Sequence, residues 1–319
     1  MNPPLFSIIM PTYNRASLLN PVIVAILAQS ISDFELIIID DGSTDNTLEI
    51  LSLYNDSRIK IRYQQNNGQT QARRQACSEA KGKYFAFCDS DDIWDIDYLH
   101  YINLVFTKYT ADFVFTNYIV DEEELPRIDT TKTETQRWLA NHATIIAADT
   151  YHFKDLYTAL IDYQPIFCSC QALSSEHYRK IGGISQELNN KALGTVNTSE
   201  DSHIMRRSAI TEKAYFINKV MVTLGRQGDN VSQSYTSNLD GGLNILLDLY
   251  NNYDLSKQHK MVTRKAIRQE RQALSKQIYY FESAANYISH YRKQPKFDLT
   301  AKNHAHFFYS LAKRYLKLS

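Results

Sequence analysis

The sequence predicts an α/β protein with a mostly parallel central sheet flanked by helices. Short, almost wholly apolar runs such as residues 34–39 and 83–88 are typical of strands covered on both faces, and such strands belong to parallel sheets. Over the first 120 residues these runs alternate with segments of helical spacing, a succession that indicates βαβ units.

Five strands and three helices are predicted in this first part of the chain. The apolar runs place strands at residues 6–10, 34–39, 59–63, 83–88 and 113–120. Apolar residues at helical spacing place helices at 16–29 and 70–80, and Thr44-Asp45-Asn46 caps another that runs to about residue 54.

The pattern weakens between residues 121 and 164, which we expect to be exposed loop followed by a short amphipathic piece. Order returns at 166–174, followed by a helix ending at Lys180, a polar loop at 189–198, a helix ending at Ala209 and a strand-like run at 214–224. Helices dominate beyond residue 240. The expected domains are residues 1–237, with halves 1–120 and 121–237, and a basic helical region at 238–319.

Composition and cysteine usage limit the class of protein. With 44% apolar and 22% charged residues, the chain has the composition of an ordinary globular protein. It contains no apolar run of about 20 residues, so no membrane-spanning helix is expected. Its start lacks the features of a signal peptide, and its four cysteines lack zinc-ligand spacing. We therefore expect a cytoplasmic protein with reduced thiols.

Charge is unevenly distributed along the chain. From Lys257 onward there are 14 Lys or Arg residues against three acids, although the net charge of the whole chain is zero. This basic region indicates either a solvated helical face or a peripheral contact with the inner, anionic face of the cytoplasmic membrane. Nucleic acid is a weaker alternative, because no recognition module accompanies the basic residues.

An acidic cluster, Asp89-Ser90-Asp91-Asp92, directly follows the fourth predicted strand. Crowded carboxylates repel one another unless a cation or a solvated turn relieves them, and ligands of open α/β sheets bind at the carboxyl ends of strands. The cluster therefore predicts a site for a hard divalent metal shared with phosphates. Asp92 is expected to orient the turn or to cap a helix opening at Ile93, and Trp94 to belong to the core.

Several polar segments follow the predicted elements in a fixed order. They are Pro11-Thr12-Tyr13-Asn14-Arg15, Asp40-Asp41-Gly42-Ser43-Thr44-Asp45, Asn67-Gly68 with Ala72-Arg73, Asp89-Ser90-Asp91-Asp92, Arg179-Lys180-Ile181-Gly182-Gly183 and Ser199-Glu200-Asp201. This order resembles glycosyltransferase family 2 over about residues 5–235. The resemblance implies the GT-A fold, which is Rossmann-like and binds nucleotides, and sugar transfer from nucleotide-diphosphate sugars with inversion.

The resemblance also assigns the nucleotide and metal sites. Asp41 accepts the imide N–H of uracil or thymine, or simply caps the next helix, and Arg73 reaches the base or diphosphate. Asp91, the second acid of a DXD motif, binds Mn²⁺ or Mg²⁺ directly, while Asp89 contacts ribose or bridges through water. Arg15 either lines the same nucleotide pocket or is an ordinary surface arginine. The remaining pocket residues are Pro11, Thr12, Tyr13, Asn67, Gly68 and Ser90.

Glu200-Asp201 resembles the family's ED motif, in which the aspartate, here Asp201, is the general base. A carboxylate near a helix N-terminus stays ionised and can accept a proton, although simple helix capping by Glu200 explains the pair as well. One position departs from the family pattern. Gln227 stands where the family has a histidine that completes the metal site, and an amide is the weaker ligand for Mn²⁺.

These observations lead to a first hypothesis and two alternatives. The first is an inverting transferase that moves a hexose or N-acetylhexosamine from a UDP-sugar to a saccharide or lipid-linked saccharide acceptor, in the synthesis of bacterial surface polysaccharide or lipooligosaccharide. The second, prompted by Gln227, is a catalytically silent module that binds nucleotide sugars or a partner. The third, a sugar nucleotidyltransferase, ranks last because no glycine-rich loop follows the first strand.

Overall fold

The computed structural model describes residues 3–121, 125–185, 200–225, 235–281, 284–293 and 301–315. These residues fall into two compact units. The first comprises the described residues up to 225, and the second comprises those from 235 onward. The predicted polar loop at 189–198 lies outside the described residues.

One mixed sheet organises the described part of the first unit. Its strands are β1 (Phe6–Thr12), β2 (Phe34–Asp40), β3 (Ile59–Tyr63), β4 (Tyr84–Phe87), β5 (Ile93–Trp94), β6 (Phe113–Val120), β7 (Ala143–Ala147), β8 (Thr150–Phe153), β9 (Gln171–Ser174) and β10 (Ala214–Leu224). The spatial order is β3-β2-β1-β4-β9-β6-β10-β8-β7, with β5 beside β10. The pairs β1–β2, β1–β4, β2–β3 and β6–β10 are parallel, and the others are antiparallel.

Helices cover this sheet and form the second unit. In the first unit they are α1 (Leu19–Leu27), α2 (Thr47–Ser52), α3 (Gln69–Glu79), α4 (Tyr98–Tyr109), α5 (Thr133–His142), α6 (Leu156–Asp162), α7 (Ser175–Lys180) and α8 (Glu200–Ser208). In the second they are α9 (Tyr235–Asn252), α10 (Lys257–Phe281), α11 (Ala284–Lys293) and α12 (Ala301–Tyr315). A short 3-10 turn at Cys168–Cys170 precedes β9.

The core explains why the apolar runs form strands. Every residue of β1 and β2 is buried, and Ile8 and Leu36 share one apolar cluster with Val22 and Ile26 of α1. Burying each such side chain stabilises the fold by about 1.5–3 kcal/mol. The parallel strands therefore form a fixed base whose carboxyl ends support polar turns.

The predicted α/β class with helices around a central sheet is confirmed, and β3 and β6 have the predicted bounds. Two local predictions are wrong. Residues 93–94 open no helix, because they pair as β5 with Val222 and Thr223 of β10. In the stretch 121–164, α5 is the expected short amphipathic piece, but β7, β8 and α6 were not expected; the packing of Trp138 against Phe153 and Ala159 stabilises them.

Candidate functional site

The carboxyl ends of β1, β2 and β4 lie at the same edge of the sheet, because these neighbouring strands are parallel. Pro11 and Thr12 end β1, Asp41 follows β2, and Asp89 follows β4 after Cys88. The structure thus brings together residues that are far apart in the sequence. The hydroxyl of Thr12 is buried there and has no hydrogen-bond partner among the residues that the structure describes.

The buried carboxylate of Asp41 orders the turn that leads into α3. Its Oδ1 accepts hydrogen bonds from the Gln64 side chain at 2.5 Å and from the Asn67 N–H at 2.9 Å, and its Oδ2 accepts from the Gly68 N–H at 2.8 Å. Gly68, with φ of 88°, directly precedes α3. Asp41 therefore fixes the start of α3 and does not cap α2, in whose first turn Thr47 donates to Asp45. Nothing local in the sequence indicated the contact with Gln64.

Arg73 of α3 is buried beside the acidic turn. Its Nη2 lies 2.5 Å from Oδ1 of Asp89, so the buried guanidinium is paired with a partly exposed carboxylate. Such a pair is costly to break, because removing one partner leaves the other charge unpaired in a desolvated place. The orientation of α3 thus determines where the guanidinium meets the first acid of the cluster.

Arg15 lies on the other side of the same turn. Its backbone N–H donates to Thr47 Oγ1 at 2.9 Å, and its Nη2 lies 3.9 Å from Oδ2 of Asp91. The preceding Asn14 adopts φ of 50° and accepts from the Thr44 N–H at 2.7 Å. The loops after β1 and β2 are therefore bonded to each other, and the arginine faces the cluster and is not a detached surface residue.

Asp91 is the acid best suited to a cation. Burial, followed by repulsion from Asp89, raises the pKa of Asp91 above its ordinary value. A divalent ion would relieve this unfavourable charge, and Mg²⁺ is commonly bound by one or two carboxylates with water and phosphates completing its shell. Within the described ranges, no three His, Cys, Asp or Glu side chains form a metal-binding group. Asp91 and Asp89 therefore fit a metal that the nucleotide would help to bind.

The remaining acid of the cluster, Asp92, holds the turn in place. Ser90 is buried in the turn, and Asp92 accepts hydrogen bonds from the Ser169 hydroxyl and, at 3.0 Å, from the Gly225 N–H. Ser169 also accepts from the Asp89 N–H at 2.9 Å, and its carbonyl accepts from the Trp94 indole at 2.9 Å. Asp92 thus caps no helix. Ser169, which sequence reasoning missed, joins the turn to the chain before β9.

Comparison with known proteins identifies the family. The sequence pattern of glycosyl transferase family 2 matches residues 7–182, more than half of the chain. The chain belongs to glycosyl transferase family 2. An Escherichia coli relative, UDP-Glc:alpha-D-GlcNAc-diphosphoundecaprenol beta-1,3-glucosyltransferase WfgD, is 37% identical over 115 residues, which are 36% of this chain and 46% of the relative. The matched segments of the first curated relatives span less than half of their length.

Solved structures of the same fold cover nearly the whole chain. Staphylococcus aureus TarS 1–349 in complex with UDP has a TM-score of 0.68 at 17% identity, covering 98% of this chain and 88% of that one. The mannosyltransferase PcManGT of Pyrobaculum calidifontis, in complex with GDP-Man and Mn²⁺, has a TM-score of 0.56 at 16% identity, covering 99% and 88%. These similarities confirm the GT-A architecture expected of a family 2 member.

The structure gives only the backbone of two of the predicted site residues and does not describe a third. Glu200 and Asp201 begin α8, but the positions of their side chains lie outside the description. Gln227 also lies outside the described residues. Gly225 is the last described residue before Gln227, and its N–H donates a hydrogen bond to Asp92. The backbone that leads to Gln227 therefore starts beside the acidic turn.

Proposed function

We propose that the protein is an inverting glycosyltransferase that moves a sugar from a UDP-sugar to a saccharide acceptor. One observation supports this most strongly. Arg73, Asp89, Asp91 and Arg15 lie around one turn at the carboxyl edge of the parallel strands, with charges of both signs within contact distance. Cations suit a diphosphate and carboxylates suit a metal, and a nucleotide diphosphate with its metal needs both.

The nucleotide end of the donor would lie over β1 and β2. The buried hydroxyl of Thr12, unpartnered within the described ranges, can form a hydrogen bond, and the half-exposed ring of Tyr13 offers an aromatic contact. Asp41 Oδ2 accepts one hydrogen bond from Gly68, and a carboxylate oxygen can accept two, so it retains capacity for the imide N–H of uracil. Pro11 and Asn67 complete this pocket, and Arg73 and Arg15 would bind phosphate oxygens.

We propose that Asp91, with Asp89 beside it, holds Mn²⁺ or Mg²⁺, and that Ser90 contacts the nucleotide. When bound, the metal would neutralise the diphosphate leaving group as the bond to the sugar breaks. The fold neighbour PcManGT, whose structure contains GDP-Man and Mn²⁺, supports this choice. Gln227 is a doubtful further ligand, because its amide oxygen binds Mn²⁺ more weakly than an imidazole nitrogen would.

Asp201 is the proposed general base, and Glu200 precedes it at the start of α8. The helix N-terminus favours an ionised carboxylate, which removes the proton of the acceptor hydroxyl as that oxygen attacks C1 of the sugar. The attack occurs on the face opposite to the diphosphate, and a single displacement inverts the anomeric centre. We assign this catalysis to residues 1–237 and a separate role to residues 238–319.

Release of UDP from a panel of UDP-sugars, with saccharide acceptors and Mn²⁺, tests the proposal. We expect Asp201→Asn to abolish transfer while leaving UDP affinity unchanged, and the control Asp95→Asn, an exposed acid, to behave like the parent protein. Calorimetric binding of UDP by the parent, without transfer from any donor, would favour the catalytically silent module instead.

The basic face of α10 suggests where the acceptor is met. No helix among the residues that the structure describes is long and apolar enough to span a membrane. Residues 257–269 contain no acid. The exposed residues of α10 in this range include Met261, Lys257, Lys260, Arg264, Lys265 and Arg268. Each cation near an anionic membrane surface contributes about 1 kcal/mol. We propose peripheral binding at the inner face of the cytoplasmic membrane, where a lipid-linked acceptor would be reached; the relative WfgD is named for a diphosphoundecaprenol substrate.

Vesicle flotation measures this contact. The full chain should float with phosphatidylglycerol vesicles and not with phosphatidylcholine vesicles. Lys260→Gln/Lys265→Gln should weaken flotation, whereas Lys154→Gln/Lys213→Gln, which removes two exposed lysines of the first unit, should not. Equal flotation with both lipids, or equal loss in both double variants, would contradict a specific role for α10.

A further inference from the structure

A groove of about 870 Å³ lies beside α5 in the first unit, and no role proposed above uses it. Its volume is within the usual range for small-molecule sites, about 300–1,000 Å³. The lining residues come from α5, from the end of α6 and from residues 125–132. Those that carry the argument are Arg127, Lys132, Arg137, Trp138, His142 and Tyr163.

The floor of the groove is aromatic and fixed. The Trp138 indole N–H donates to the Ala159 carbonyl at 3.0 Å, and its ring packs 5.3 Å from that of Phe153. Tyr163 meets Trp138 edge to face, with ring centroids 5.6 Å apart. Tyr163 is itself half-buried, so it offers part of an ordered aromatic surface to a ligand. Such surfaces suit the apolar C–H face of a sugar ring.

The wall of the groove is cationic. The Arg127 guanidinium lies over the Tyr163 ring, 5.6 Å from its centroid. Within the part of the chain that the structure describes, neither Arg127 nor Arg137 makes an ion pair or a side-chain hydrogen bond, whereas the exposed Arg62 is paired with Glu79. A guanidinium that stacks on a ring keeps its fork of N–H donors available for a carboxylate or phosphate.

The lining also contains acids: three cationic side chains, Arg127, Lys132 and Arg137, stand against two carboxylates, Asp162 and Glu134. Asp162 lies 3.0 Å from the His142 ring, and Glu134 is exposed on α5. Lys132 lies 3.9 Å from Asp129, outside the lining. The groove therefore presents an aromatic floor and two arginines that form no ion pair with any described residue, an arrangement that matches a sugar ring bearing an anionic substituent.

We propose that this groove binds an anionic saccharide unit, carrying a carboxylate or a phosphate, as a distal part of the acceptor. This inference rests on the proposed function. Six residues separate Tyr163 from Ser169, which contacts the acidic turn, so the groove begins within about 20 Å of that turn. An acceptor chain of a few sugar units can occupy both places, with its reactive end at the transfer site.

Calorimetry with UDP at saturation, which fills the donor site, tests the groove alone. We expect tetragalacturonate and mannose 6-phosphate to bind more tightly than neutral cellotetraose. Arg127→Gln/Arg137→Gln should weaken binding of the acidic probes about tenfold or more. The control Lys154→Gln/Lys213→Gln removes the same charge outside the groove and should not change it. Arg137→Gln alone, at an exposed helical position, should give a smaller loss in the same direction.

Equal affinity for acidic and neutral probes would overturn the proposal, as would an equal loss in the control variant. The measurement needs no turnover. A protein that binds tetragalacturonate through Arg127 but releases no UDP from any donor would refute the proposed function and leave the groove assignment in place. A protein that transfers sugar but binds neither acidic probe would refute the groove assignment and leave the proposed function in place.

Discussion

The buried carboxylate of Asp92 accepts a hydrogen bond from the backbone N–H of Gly225 at 3.0 Å, although 133 residues separate the two in the chain. The backbones approach closely here. A methyl group added at residue 225 would lie 2.3 Å from the carbonyl oxygen of Asp91. The acidic turn and the end of β10 are therefore fitted to each other, and the segment that carries Gln227 starts from this contact.

Gly225→Ala should displace the acidic turn. We expect a loss of about 1–3 kcal/mol in the free energy of unfolding, typical of overpacking, together with weaker Mn²⁺-dependent UDP binding. Gly242→Ala is the matched control, because nothing lies within 4 Å of a methyl group there and alanine is the better helix former. Urea unfolding and calorimetry measure the two effects. Identical behaviour of the two variants would show that the close approach at Gly225 is unimportant.

Asp91→Asn should remove the increase in UDP affinity that Mn²⁺ provides. The amide carries no negative charge, so it binds a hard cation more weakly than the carboxylate does. We expect the Mn²⁺-dependent part of the affinity to fall about tenfold or more. UDP titrations with and without Mn²⁺ measure it. Asp95→Asn, four residues further along and exposed, should retain the full effect. Unchanged Mn²⁺ dependence in Asp91→Asn would refute the metal assignment.

Much of the fold was predictable, since apolar runs are local signals. The bounds of β6 and the position of the acidic turn follow from residues 113–120 and 83–92 alone. Contacts between distant segments were not predictable. Ser169 meets Asp92 across 77 residues, and no local pattern marks it. The hairpin of β7 and β8 was missed for a related reason, because its edge strand exposes Ile145 and lacks a clear alternation.

Glu35 should make the fold sensitive to acid. Burial by itself would raise the pKa of Glu35, but hydrogen bonds from Lys60, Ser7 and the Lys81 N–H outweigh it and lower the pKa. A lowered carboxyl pKa stabilises the folded state above the unfolded-state value of about 4.3, and this contribution is lost as the pH falls through the folded-state pKa. Acidification below that range should therefore destabilise the protein.

Glu35→Gln isolates this contribution. We expect it to lower the free energy of unfolding by about 1–3 kcal/mol near neutral pH, because Lys60 and the Lys81 N–H lose a charged acceptor. The difference from the parent should shrink as the pH falls from the unfolded-state value through the folded-state pKa of Glu35, below which the parent carboxylate is also protonated. The exposed Glu212→Gln serves as control and should follow the parent at every pH. A difference that does not vary with pH would contradict this account.

The four cysteines should be unreactive in the folded protein. Cys77, Cys88, Cys168 and Cys170 are free and buried, and burial raises the pKa of Cys77 to about 12. Only the thiolate reacts with a disulfide reagent. A buried thiol with a raised pKa stays protonated at about pH 8, and burial also keeps the reagent away from the sulfur. Ellman's reagent should detect no rapidly reacting thiol in the native protein and all four in guanidinium. Ser52→Cys, at an exposed position of α2, should add one fast thiol and prove the reagent competent. A rapidly reacting thiol in the native parent would contradict this expectation. It would mean that the turn containing Cys88 or the segment around Ser169 opens readily, so that the contacts around the acidic turn break and re-form in solution.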